Sequence, residues 1–228
     1  MFGAVANAGT DLVALVRRTL DSVGRTSDTE LTAFTDGCPG LRAILADAGV
    51  ASLPILDWFH LSMRLQHAKQ VAEGLPADEA DQLQVKAAII EQVERLRWRT
   101  WNGKAKNARI TLKRIRTLLP AFTGAPARKL RRALRAIDRY LRSQSDWLVN
   151  YAERHRAGLR VGTPLTEGTA NFLVNRRMAK SQQMRWSRRG ADLLLQVRCA
   201  VYNGALGSGF GQLFEPAPTS GLHWAEAA

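Results

Sequence analysis

The chain has 228 residues, with 33 Lys or Arg against 20 Asp or Glu, a net charge of +13. That length is enough to bury a real core, and an apolar content of 46 % argues against wholesale disorder. A balance this basic selects a polyanionic partner, with nucleic acid first. An acidic membrane surface ranks behind it because no amphipathic or lipidated anchor is visible.

No run of ~18 apolar residues occurs, so no membrane span is expected. The opening MFGAVANAGTDL has no basic n-region, so a cytoplasmic location is expected. Cys38 and Cys199 stand far apart and outside any CxxC spacing. Two reduced cysteines are expected, with Cys199 on a buried helix face.

In chain order, Leu12, Leu15, Val16 and Leu20 recur at helical spacing and predict a short helix over residues 8–24. Leu31, Ala33 and Phe34 suit a short buried strand that stops at Asp36-Gly37. Pro39 suits the first turn of a helix running to about Ala48, with Gly49 past its end. Leu53 to Leu56 reads as a second strand. Strand–helix–strand implies a parallel pair, and two strands are too few for an independent sheet.

From Trp58 to about Arg156 only helical patterns follow one another, with breaks at Gly74-Pro76, Trp101-Gly103, Leu119-Pro120 and Gly124-Pro126. The stretch 126–157 reads as the longest helix. A loop over 158–166 precedes a helix from Pro164 or Leu165. Ser187 is a cap candidate for a last apolar helix, ADLLLQVRCAVYN. The tail from Gly204 is rich in Gly, Pro, Ser and Ala and reads as loose.

Several residues have the character needed for chemistry. Asp36 ends the first strand, at the edge where parallel sheets collect catalytic groups; an Asp opening a turn before Pro39 is the plain alternative. Asp57 and His60 form D-W-F-H after the second strand, either as a ligand set or as a helix start, with His67 two turns on. Glu167 opens a helix, where an acid also suits the helix dipole.

Three basic runs stand out as phosphate-contacting surfaces or solvated faces. One comprises Arg176, Arg177, Lys180, Arg185, Arg188 and Arg189 around Trp186. A second comprises Arg128, Lys129, Arg131, Arg132, Arg135, Arg139 and Arg142. The third surrounds Trp98 and Trp101.

The motifs TDGCPGLR, DWFH, EGTANFLVNRRMAKSQQMRW and RRGADLLLQVR, in this order, resemble the Mutator-like and Kra-type bacterial insertion-sequence transposases over roughly residues 30–205. The resemblance implies a predominantly helical α/β chain. Residues 1–60 would be a remnant of an RNase H-like core and 61–157 a large all-helical insertion. Residues 158–205 would be the C-terminal catalytic helices and 206–228 the loose tail. It implies that Asp36 is the second catalytic Asp and Glu167 the Glu, together holding Mg²⁺ or Mn²⁺, with Asp57 and His60 as the C/D-x-x-H motif between them.

The family's first Asp has no counterpart among the 35 residues before Asp36. The chain is therefore expected to be a truncated DDE transposase that binds the DNA of the element ends and is inactive alone, with a homo-oligomer or an upstream transposase segment as partner. The alternatives are a basic helical nucleic-acid-binding module without catalysis, and a helical protein that binds an acidic partner protein.

Overall fold

The computed structural model describes residues 4–5, 11–178 and 185–204, with the side chains of 175–178 excluded. It is predominantly helical and divides into two compact units, Arg25–Thr166 and the pair of segments Met1–Gly24 with Glu167–Ala228. No helix among the described residues is long and apolar enough to cross a membrane.

The unit Arg25–Thr166 opens with two short parallel strands, β1 (Phe34–Thr35) and β2 (Ile55–Leu56), paired Phe34 to Ile55 and Thr35 to Leu56. Two backbone bonds extend the pairing, Ile55 N–H to Ala33 carbonyl at 2.8 Å and Asp57 N–H to Thr35 carbonyl at 2.9 Å. The strands are shorter than their apolar runs because each has one partner only, and an unpaired flank gains nothing from extended geometry. Helix α2 (Pro39–Asp47) connects them, starting at Pro39 and ending on Gly49 at φ +85°, a left-handed position that suits glycine.

Four longer helices follow: α3 (Trp58–Glu73), α4 (Ala80–Trp101), α5 (Ala105–Leu118) and α6 (Gly124–Ser143). Their breaks fall where Gly and Pro interrupt the periodicity. At Gly103, φ is +69° and a Cβ would stand 3.0 Å from the Val149 carbonyl oxygen, so the α4–α5 turn accepts only glycine comfortably. One core takes Leu56 from β2, Leu61 and Leu65 from α3, Leu96 from α4, Leu112 from α5 and Leu130 and Leu134 from α6. The apolar core therefore runs continuously across residue 60.

The expected long helix over 126–157 is corrected. α6 stops at Ser143, a single 3₁₀ turn occupies Ser145–Trp147, and α7 spans Tyr151–Arg156; α4, with 22 residues, is the longest described helix. The reason is tertiary. Gln144 accepts a bond from the Arg42 guanidinium at 2.6 Å, and the Arg42 guanidinium lies 3.7 Å from the Trp147 ring centre, so this turn is held against the β1–α2 corner. Ser145 and Asp146 are weak helix formers and yield readily.

The other unit contains α1 (Leu12–Ser22), α8 (Pro164–Met178) from Glu167 onward, and α9 (Arg188–Tyr202). Asp11 and Ser187 cap α1 and α9, accepting from Ala14 N–H and Gly190 N–H, each at 3.0 Å. Cys199 is buried on α9 and both cysteines are free; burial pushes the Cys199 thiol pKa up.

Candidate functional site

Asp36 follows β1 directly and its side chain is exposed. Its Oδ1 accepts the Cys38 N–H at 2.9 Å, an Asx turn that leads into α2, and its carbonyl accepts the Tyr140 hydroxyl of α6 at 2.7 Å. Tyr140 is squeezed between the sheet edge and α3, with the Arg64 guanidinium 4.6 Å from its ring centre. Burial, reinforced by the negative charges of Asp36 and Asp57, pushes the Tyr140 pKa up to about 12, so it stays a neutral donor. Both candidate readings of Asp36 are compatible with this geometry: it opens a turn, and its Oδ2 still faces solvent.

Asp57 is different. It is 2 % exposed and caps α3, with Oδ1 accepting the Phe59 N–H at 2.9 Å and the Thr163 N–H at 3.1 Å. Its Oδ2 accepts a short hydrogen bond from the Thr163 hydroxyl and has His60 Nε2 at 3.8 Å. Trp58 N–H donates to the Val161 carbonyl at 3.1 Å, so residues 161–163 are laced to the start of α3. Gly162 is the only residue type that fits there, because a Cβ would stand 2.5 Å from Asp57 Oδ1. Asp57 thus has both oxygens engaged in holding the fold.

Glu167 lies in the first turn of α8, half-buried, in the other unit. Among the described residues no three His, Cys, Asp or Glu side chains cluster to hold a metal ion. Arg185, Arg188 and Arg189 are exposed around the start of α9. The side chains of Arg176 and Arg177, and all of Lys180, lie outside the described residues.

The cations of α5 and α6 form the most extensive chemical feature. At ~100° per residue, Arg128, Arg131, Arg132, Arg135, Arg139 and Arg142 fall within roughly 100° of arc on α6. Ala127, Leu130, Leu134, Ile137 and Leu141 occupy the buried face. Lys129 stands at the margin of the arginine stripe. On α5, Lys106, Arg109, Lys113 and Arg116 form a similar stripe flanking the buried face of Ala108, Leu112 and Ile115, with Arg116 half-buried. The apolar face of each helix is consumed by the core, so every long cation is driven to the outside.

One acid sits between the stripes. Asp138 receives Arg142 at 2.8 Å, Arg116 at 3.1 Å and Arg109 at 3.8 Å. Burial pushes its carboxyl up, but the hydrogen bonds and charges of Arg142 and Arg116 outweigh burial and hold it below its usual 3.8. A depressed folded-state value means that this stabilisation is present above the unfolded pKa and is lost as pH falls through the folded one. Asp138→Asn is expected to cost about 1–3 kcal/mol at neutral pH. The gap from the parent should narrow below pH ~4 when denaturation midpoints are compared across pH; a gap independent of pH would show that the carboxylate charge contributes nothing.

By contrast, Arg128, Lys129, Arg132 and Arg139 are exposed and have no carboxylate partner among the described residues. The basis lies in the sequence, although reading the basic runs separately misses it. Residues 95–137 contain fourteen Lys and Arg and no Asp or Glu, while the remaining 185 residues hold nineteen cations against twenty acids. The whole net charge of the chain therefore comes from one continuous block. No protein-family model, curated protein or solved structure matches this chain, so its function is read from its own residues.

Proposed function

We propose that this chain is a DNA-binding part of an insertion-sequence transposase of the Kra-type, Mutator-like kind, contacting the phosphate backbone through the cationic stripes of α5 and α6. The observation that carries the DNA-binding reading is the acid-free block 95–137, folded so that its arginines share exposed faces. The α6 stripe from Arg128 to Arg142 is ~21 Å long, long enough to meet several phosphates of a duplex.

The RNase H-like part of the reading rests on motif order: Asp36 after β1, Asp57-x-x-His60 after β2, Glu167 at the start of α8. Asp36 fits a metal site, since one carboxylate oxygen is open. Asp57 does not fit one, because both of its oxygens are engaged. On this reading Asp36 and Glu167 are the acids that would hold Mg²⁺ or Mn²⁺, ions that clamp the attacking and leaving oxygens of a phosphodiester displacement when bound. A separate transposase segment supplies the family's first Asp. The engagement of Asp57 also favours a second reading, a basic helical nucleic-acid-binding module without catalysis.

Two measurements on the purified chain test these readings. Duplex affinity is expected to fall steeply along a salt series, and a flat log–log plot would remove the DNA reading. With Mg²⁺ or Mn²⁺ and element-end DNA, no cleavage is expected from the chain alone, and cleavage is expected when the segment bearing the first Asp is added. Cleavage by the chain alone, abolished by Asp36→Ala and Glu167→Ala, would show a complete ligand set. No cleavage under either condition would favour the non-catalytic module.

A further inference from the structure

At the start of the acid-free block the structure carries a feature that phosphate binding does not explain. Trp98, near the end of α4, is 55 % exposed, an unusual cost for the largest apolar side chain. It borders an open groove of about 300 Å³, lined by Trp58, Trp101, Glu94 and Arg97 together with Trp98 itself. The floor is rigid. Trp58 packs edge-on against Trp101 at 4.7 Å between ring centres, and Tyr151 stacks beneath Trp101 at 5.9 Å and 19°. Tyr151 is fully buried and donates to the Leu56 carbonyl at 2.6 Å, tying the aromatic stack to β2.

Cations frame the groove unevenly. Arg99 is committed to the fold, donating to the Asn107 carbonyl at 2.9 Å and the Thr111 hydroxyl at 2.7 Å. The Lys104 ammonium lies 4.8 Å from the Trp98 ring centre, and exposed Arg97 has no ion-pair partner among the described residues. Glu94, the acid on the rim, is held by Lys69 at 2.6 Å. A packed aromatic slot with exposed cations at its mouth matches a flat π system attached to an anionic backbone.

Resting on the nucleic-acid reading above, we propose that the Trp58–Trp98–Trp101 groove receives an unpaired nucleobase, stacked on Trp98, while Arg97 and Lys104 contact its flanking phosphates. The chemical class is a DNA carrying an extrahelical or single-stranded base. Stacking uses the π face that every base has, so the groove selects unpaired over paired structure without selecting sequence. The arginine stripe of α6 binds duplex backbone independently of this slot.

The test uses the full chain, a short blunt duplex and the same duplex with one unpaired 2-aminopurine. The bulged duplex is expected to bind roughly 5–150-fold more tightly than the blunt one, with the 2-aminopurine fluorescence quenched on binding. Trp98→Ala removes that preference and the quenching while leaving blunt-duplex affinity within about twofold; Trp98→Phe, which keeps a π face, retains most of both. Trp98 is mostly solvent-facing, so far-ultraviolet circular dichroism should match the parent for both variants. Equal affinity of the parent chain for the two duplexes overturns the proposal, as does a preference that survives Trp98→Ala. Strong, salt-sensitive duplex binding without bulge preference would sink the slot while leaving the phosphate-binding reading intact; no binding to either DNA would sink both.

Discussion

Replacing Arg128, Arg132, Arg135 and Arg139 together by Ala is expected to weaken duplex binding by ~10³-fold near 0.15 M salt. Each phosphate contact releases counterions with a log–log slope of ~0.9, and ~0.8 decades separate 0.15 M from 1 M salt, so one contact is worth about 0.7 log units. Four contacts make about three log units, and the salt slope should become shallower by roughly 3–4. These four side chains are exposed, lie on the α6 face opposite the core, and have no carboxylate to lose. Ala is a slightly better helix former than Arg, so stability should hold or rise a little.

The contrast is with Arg109 and Arg116, whose guanidinium groups are drawn to Asp138. Their removal should lower stability more than it changes the salt slope. A quadruple variant that keeps the parent slope would show that the stripe is a solvated face and not a phosphate contact. Fluorescence anisotropy of a labelled duplex across a salt series, with a denaturation curve for each variant, separates these outcomes.

Asp57→Ala is expected to destabilise the Arg25–Thr166 unit by about 3–5 kcal/mol, the loss of a helix cap and of acceptors for buried donors together. The change strands the Phe59 N–H, the Thr163 N–H and the Thr163 hydroxyl, and it leaves a cavity beside Gly162. Asp57→Asn keeps one acceptor oxygen and should cost less. Thr163→Val keeps the cap and should cost about 1–2 kcal/mol. Urea midpoints measure the series. A loss below about 1 kcal/mol for Asp57→Ala would mean that the carboxylate is dispensable to the fold and free for other work. Because α5 and α6 carry the cations, residual DNA affinity of the folded fraction should be unchanged.

The helical character, the strand–helix–strand opening and most helix boundaries were legible in the sequence because each has a local cause. Pro39 starts α2 by its fixed φ, Gly49 ends it by its left-handed φ, and Ser187 caps α9 through one hydroxyl. The apolar spacing along α6 assigned its buried face, and the arginines follow by exclusion. None of these needs a distant partner.

The roles of Asp36 and Asp57 were not legible, since the two look alike in sequence: each is an Asp directly after a short apolar strand. The structure separates them through segments more than a hundred residues away. Thr163 and Gly162 close over Asp57 and occupy both its oxygens, while Tyr140 reaches only the backbone of Asp36 and leaves a carboxylate oxygen open. The same long-range logic broke the expected helix at Gln144, where Arg42 takes hold of the turn. Sequence by itself determined charge, periodicity and the residues that cap helices, because these act within a turn or two of chain. Tertiary structure alone decided which acids are engaged, which arginines face a carboxylate and which tryptophan stays in the open, because hydrogen-bond partners and burial depend on what chain folding brings alongside.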